Sequence, residues 1–144
     1  ARNKELLIFR KELELLGGEI FIITDDGSFG EKGFVTDILK RLIDSDKRMS
    51  LVYAVGPGVM MEAVSNLTKP YGIKTLVSLN TVLVDGTGMC GSCRVQVGNE
   101  TKFVCVDGPE FDGHLVNFKE LKARQNLFRD QEKHACKIRG IPVI

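Results

Sequence analysis

Leu51-Val52-Tyr53-Ala54-Val55-Gly56-Pro57-Gly58 is the stretch that decides the fold. Its first part is apolar and β-branched, the composition of a buried strand. Gly-Pro-Gly then ends it sharply. Val59 to Leu67 follows with helical spacing, and Lys74 to Leu79 reads as another strand. Upstream, Glu19 to Thr24 is a short apolar run predicted as a strand, and Asp25 to Gly30 a loop of turn-forming residues. Phe34 to Ile43 has the helical period. Residues Asn3 to Leu16 place Leu6, Leu7, Phe9, Leu13 and Leu16 at spacings of three and four, predicting an amphipathic helix that Gly17-Gly18 stops. Helix and strand alternate three times, the pattern of an α/β parallel sheet with covering helices. Three strands make a thin sheet, and the chain opens without methionine. The expectation is therefore a fragment whose sheet continues upstream.

Downstream of Leu79 the character changes. Residues 81–113 are dense in glycine, with alternating segments Arg94 to Val97 and Lys102 to Val106 that predict a small β-ribbon. Asn117 to Lys133 is polar and charged, predicting a surface helix or partner-docking tail. Three segments are expected: 1–80, 81–113 and 114–144. The 144 residues carry a formal net charge of +1, which supplies no electrostatic reason for a nucleic-acid or membrane-surface partner. No apolar run approaches the roughly 20 residues of a membrane span, and the charged N-terminus is not a signal peptide. These features predict a soluble, cytoplasmic protein.

Asp85-Gly-Thr-Gly-Met-Cys90-Gly-Ser-Cys93, with Cys105 beyond, has the spacing D-x4-C-x2-C-x11-C. Plant-type [2Fe–2S] sites use C-x4-C-x2-C and a distant fourth cysteine, so here a carboxylate replaces the first thiolate. The glycines let ligands converge and let amide N–H groups approach sulfur. Other readings compete. Cys90, Cys93, Cys105 and Cys136 could hold zinc, although a second close cysteine pair is lacking. Cys90 and Cys93 could form a redox C-x2-C, although that motif normally caps a helix. The thiols could also be structural, and Asp85 a turn residue bonding nearby backbone. Cys136, His114 and His134 lack ligand spacing; both histidines are expected to be solvated or capping residues.

Gly56 and Pro57 stand at the carboxyl end of one predicted strand, and Asp26, Gly27 and Ser28 at the end of another. Open α/β sheets bind ligands there, with helix N-termini favouring anions. Neither a G-x-G-x-x-G nor a Walker-type loop is present.

Taken together, Thr24-Asp-Asp-Gly-Ser-Phe-Gly-Glu-Lys-Gly-Phe-Val35, Val55-Gly-Pro57, Val84-Asp-Gly-Thr-Gly-Met-Cys-Gly-Ser-Cys93 and Cys105-Val-Asp-Gly-Pro-Glu-Phe111 resemble one family. It is that of the FAD- and iron–sulfur-containing electron-transfer subunits of the ferredoxin–NADP reductase superfamily. The likeness is to the small subunits of NADH-dependent ferredoxin:NADP oxidoreductase, sulfide dehydrogenase and hydrogenase-associated type. Dihydroorotate dehydrogenase electron-transfer subunits are near relatives. The resemblance implies a truncated Rossmann-like NAD(P)-binding half, a Gly-rich [2Fe–2S] segment and a C-terminal helix, preceded in the intact subunit by an FAD-binding barrel. It also implies Asp85, Cys90, Cys93 and Cys105 as cluster ligands. Arg2, Asp26, Gly27, Ser28, Gly56 and Pro57 would contact NAD(P)H. A larger flavin and iron–sulfur subunit, or ferredoxin, would be the partner. Val55 stands where relatives often carry a cysteine beside the nicotinamide. The dihydroorotate relatives place cysteine at position 85, so Asp85 points toward the ferredoxin:NADP branch. The isolated chain is expected to be inactive with NADPH.

Overall fold

Residues 3–16, predicted as one helix, are broken in the computed structural model, which describes residues 1–45 and 48–140. A 3-10 turn, Lys4–Leu6, is capped by the Asn3 carboxamide oxygen accepting the Leu6 N–H at 3.2 Å. Phe9 then takes a left-handed conformation (φ 54°), and α1 covers only Arg10–Glu14. None of this stretch is buried. An amphipathic pattern needs an apolar surface to lie on before it holds a continuous helix.

The chain divides into two packing units, 1–49 and 50–144. In the first, the predicted strand 19–24 contracts to β1 (Ile23–Thr24), both residues buried. Its ladder partner is β2 (Glu31–Lys32), in parallel, with Ile23 opposite Glu31. The Thr24 hydroxyl donates to the Phe29 carbonyl at 2.8 Å and accepts the Phe29 N–H at 3.2 Å, closing the intervening loop. α2 (Val35–Asp44) starts where the Asp37 carboxylate accepts the Phe34 N–H at 2.7 Å, which satisfies one of the donors a helix start leaves open. The two-pronged Arg41–Glu31 pair, 2.7 Å at each prong, ties this helix to β2. Its main effect on both partners is through hydrogen bonding, which lowers the Glu31 pKa and raises that of Arg41.

The second unit contains the strand–turn–helix–strand predicted from residues 51–79. β3 (Val52–Val55) and β4 (Thr75–Ser78) pair in parallel from Val52 opposite Thr75 to Val55 opposite Ser78. α3 (Gly58–Thr68) crosses between them and buries Met61, Val64, Ser65 and Thr68, the i, i+3, i+4, i+7 stripe of a core-facing helix. A hairpin follows, β5 (Arg94–Val97) antiparallel to β6 (Glu100–Phe103). The predicted ribbon strand 102–106 ends at Phe103, because α4 (Val104–Asp107) begins there, its Asp107 carboxylate accepting the Phe103 N–H at 2.6 Å. β7 (Glu110–Asp112) then returns antiparallel to β4. The three-stranded sheet is thus β3-β4-β7, two strands parallel and one antiparallel, rather than three parallel strands.

The polar tail is two helices, not one. α5 (Phe118–Gln125) is capped by the Asn117 carboxamide oxygen accepting the Glu120 N–H at 3.1 Å. It buries Phe118 and Leu121 and is therefore core rather than surface. α6 (Arg129–Arg139) buries nothing. At its last residue α5 reaches back, the Gln125 amide donating to the Asn80 carbonyl at 2.8 Å. Gly113 is buried against Ser65 and Val77, leaving no room for a side chain. His114, expected at the surface, is 18% exposed at its side chain, with Nε2 3.0 Å from the Thr68 hydroxyl. Thr68 and Thr75, both fully buried, share a 2.6 Å hydrogen bond. The Thr68 hydroxyl also reaches the Val64 carbonyl at 3.1 Å and the Thr75 hydroxyl the Ile73 carbonyl at 3.0 Å, so the histidine joins a polar chain that is already satisfied. Among the described residues no helix is long and apolar enough to cross a membrane.

Candidate iron–sulfur site

The cysteine segment leaves the sheet after β4 and returns to it at β7. Its two ends are tied together by the Leu79 N–H donating to the Pro109 carbonyl at 2.9 Å. Asp85 opens the loop. One carboxylate oxygen accepts the Thr87 N–H at 3.0 Å and the other the Cys90 N–H at 2.9 Å. These bonds, that from Thr87 foremost, lower its pKa. Asp85 therefore does the work of a turn residue here. A carboxylate has about four lone-pair sites, so each oxygen keeps one free for a further partner.

Cys93 is buried at the start of β5, and Cys105 lies on α4, half-buried. The hairpin closes between them, with the Val104 N–H donating to the Cys93 carbonyl at 3.2 Å. Their sulfurs are 3.2 Å apart. The neighbouring Cys93 thiol first, and burial second, raise the Cys105 pKa, while the Gly88 N–H lowers it. Cys90 is exposed, with its sulfur 3.0 Å from the Ser92 hydroxyl. That hydroxyl, followed by the Ser92 N–H, lowers the Cys90 pKa.

The donors therefore fall into two pairs, Asp85 with Cys90 and Cys93 with Cys105. Among the described residues, no three or more His, Cys, Asp or Glu side chains gather at single-ion distances. A [2Fe–2S] group takes two protein ligands on each iron, and the Cys93–Cys105 pair suits one such iron. Soft thiolates also suit iron–sulfur chemistry. Gly88 completes the cradle. It sits at φ +83°, and a Cβ there would stand 2.6 Å from Val106 Cγ2. The donor set and the loop fit a [2Fe–2S] group. Cys136 lies apart, partly exposed on α6.

Of the predicted nucleotide contacts, Arg2, Asp26, Gly27 and Ser28 come together in the first unit. The Asp26 N–H donates to the Arg2 carbonyl at 3.2 Å. The Ser28 hydroxyl donates to Asp26 at 2.7 Å and accepts the Lys4 N–H at 2.8 Å. The Ser28 hydroxyl and N–H are the leading causes of the lowered Asp26 pKa. Much of this loop's polar capacity is thus spent within it. In the second unit, Gly56 and Pro57 form the start of α3, where the Pro57 carbonyl accepts the Met60 N–H at 2.9 Å. Arg94 and Arg124, missed in the sequence, grip the backbone between Cys90 and Cys93. No spacing rule could have found Arg124, which arrives from α5.

Residues 80–117 match the family model for the iron–sulfur cluster binding domain of dihydroorotate dehydrogenase B. By site and by likeness the chain resembles the iron–sulfur electron-transfer subunits of oxidoreductases. It is 44% identical, over 92% of its length and 46% of the relative's, to a homologue of the dihydroorotate dehydrogenase B (NAD(+)) electron transfer subunit from Thermotoga maritima. A Clostridium beijerinckii protein known from the adh 3' region is 51% identical over 94% of this chain and 46% of its own. The solved structure of an NADH-dependent reduced ferredoxin-NADP oxidoreductase superposes with a TM-score of 0.83 at 42% identity, covering 95% of this chain and 49% of that one. The chain spans about half the length of the curated relatives it matches.

Proposed function

We propose that this chain is the cluster-bearing part of an NAD(P)H-dependent flavin and iron–sulfur oxidoreductase subunit, with a [2Fe–2S] cluster held by Asp85, Cys90, Cys93 and Cys105. The observation that carries the reading is the pairing of Cys93 with Cys105 at 3.2 Å, inside the stretch that matches an iron–sulfur binding domain. When bound, such a cluster supplies storage for one electron at a time. The chain's own residues do the rest. The thiols hold it, Asp85 shapes the loop, and backbone N–H groups approach the sulfurs. By the likeness to its relatives, Arg2, Asp26, Gly27, Ser28, Gly56 and Pro57 would be the NAD(P)H contacts. FAD would be bound elsewhere in the whole protein. In that reading segments 1–80, 81–113 and 114–144 divide the chain by cofactor.

A larger flavin and iron–sulfur subunit, or ferredoxin, would exchange electrons at the exposed Cys90 edge. Val84, Met89 and Val106, chain neighbours of three ligands, are exposed there, Met89 by 88%. A cytoplasmic location follows from the same chemistry, since cytosolic thiols stay reduced. The dihydroorotate dehydrogenase type is the second reading, favoured by the family match. Anaerobic reconstitution tests the cluster. About two iron and two sulfide per chain, with a brown-red spectrum, are expected. A colourless chain holding zinc overturns the proposal. Assay of the whole protein with its partner, using NADP with ferredoxin on one side and dihydroorotate on the other, separates the two types.

A further inference from the structure

Two arginines from different elements converge on the short backbone between Cys90 and Cys93. Arg94, the first residue of β5, donates through Nη1 to the Gly91 carbonyl at 3.0 Å. Arg124, from the last turn of α5, donates through Nη2 to the Ser92 carbonyl at 2.9 Å and reaches the Gly91 carbonyl at 3.5 Å. Among the described residues neither guanidinium is paired with a carboxylate. Their charge is directed at the loop alone.

A trans peptide points its C=O and N–H in opposite directions. Holding the Gly91 carbonyl therefore also fixes the N–H of Ser92, on the opposite side of the same peptide. The Ser92 hydroxyl meets the Cys90 sulfur at 3.0 Å. A guanidinium on the carbonyl also polarises the peptide, so its N–H becomes a stronger donor. Arg124 is well placed for this role. Leu121, one turn before it, is 1% exposed, so α5 is anchored by packing, and a single guanidinium nitrogen, Nη2, lies within reach of two successive carbonyls.

We infer that Arg124, assisted by Arg94, is a positioning residue for the cluster. It fixes the 91–93 backbone, which sets where the Ser92 amide and hydroxyl stand relative to the Cys90 sulfur, and it places positive charge beside the ligands. This rests on the proposed cluster and deepens it. Hydrogen bonds to sulfur and nearby positive charge favour the more negative, reduced state of such a cluster, so both raise its reduction potential.

The test uses Arg124→Met, which keeps the side-chain stem but removes charge and fork, and Arg124→Lys, which keeps charge without the fork. In the reconstituted chain, EPR-monitored titration should give a lower midpoint potential for Arg124→Met and a smaller change for Arg124→Lys. Loss of visible absorbance under anaerobic chelator should be about tenfold faster in both variants. In the cluster-free chain, amide hydrogen exchange at Ser92 and Cys93 should accelerate in both. Arg94→Gln, altering an exposed side chain, should shift the same readouts in the same direction and serves if Arg124→Met fails to fold. Unchanged potential, lifetime and amide exchange in the Arg124 or Arg94 variants overturn the inference. A wild-type chain that takes up no iron and sulfide instead refutes the cluster itself, and amide exchange then still decides the clamp.

Discussion

Gly88→Ala isolates the cost of the cluster loop's geometry. Gly88 sits at φ +83°, a region where an L-residue is disfavoured by about 1–2 kcal/mol. The new Cβ would also lie 2.6 Å from Val106 Cγ2. Val106 is exposed and can rotate away, at about 0.5–1.5 kcal/mol if pushed off its rotamer. The sum is about 1.5–3.5 kcal/mol against the loop shape that holds the ligands, or roughly 10- to 400-fold in cluster retention. Gly86→Ala is the control, since Gly86 has φ +73° but nothing within 4 Å of its Cβ direction. It should show the backbone cost alone, about tenfold. The pair Gly88→Ala with Val106→Ala should recover the difference. The assay is the half-life of visible absorbance after adding chelator to the reconstituted chain. If Gly88→Ala matches Gly86→Ala, or the double variant recovers nothing, the close approach to Val106 is not what shapes the loop.

Three other perturbations probe the site and its support. Cys93→Ser should abolish iron and sulfide uptake while Cys136→Ser leaves it intact, read by metal and sulfide analysis; equal loss in both would move the assignment to the four-cysteine zinc set. Asp85→Cys should keep a binuclear cluster with an all-thiolate spectrum, and Asp85→Ala should leave it labile to chelator. Because hydrogen bonds hold the Asp85 pKa below its unfolded value, its contribution to loop order is present above about pH 4 and is lost as pH falls through the lowered value. Protection of the Thr87 and Cys90 amides in the cluster-free chain should therefore fall in acid, and a flat profile would remove Asp85 from that role. Leu121→Ala should cost about 2–5 kcal/mol of unfolding free energy, read by denaturant titration, since the side chain is almost fully buried; an effect under about 1 kcal/mol would mean α5 is not core.

The central βαβ unit was legible because its signal is local. A β-branched run, a Gly-Pro stop and a helical stripe at Met61, Val64, Ser65 and Thr68 all lie within one short stretch. The cysteine spacing was legible for the same reason. Strand β7 was hidden, because Glu110–Asp112 is only three residues with a single apolar side chain, Phe111, too short a run to read as alternation, and it becomes a strand by pairing with β4. The N-terminal pattern misled in the opposite sense, since periodicity at Leu6, Leu13 and Leu16 cannot reveal whether a surface is there to receive it. His114 has no periodic partner either, and its place is set by two threonines far away in sequence. Asp85 carries two meanings in one residue. As a cap it is satisfied by Thr87 and Cys90, and nothing in its spacing distinguishes that from ligation.

The chain leaves the sheet at Leu79 and rejoins it at Pro109, a doorway closed by the Leu79 N–H on the Pro109 carbonyl, and the cysteine cassette between is also tied to the segment after β7, by the Gly98 N–H on the Leu115 carbonyl and the Asn117 N–H on the Gln96 carbonyl. The latch on that doorway is α5, which holds Asn80 through Gln125 and Ser92 through Arg124. A change in α5 can therefore loosen the cassette while its cysteines remain untouched. An inventory of ligands would count such a protein as intact.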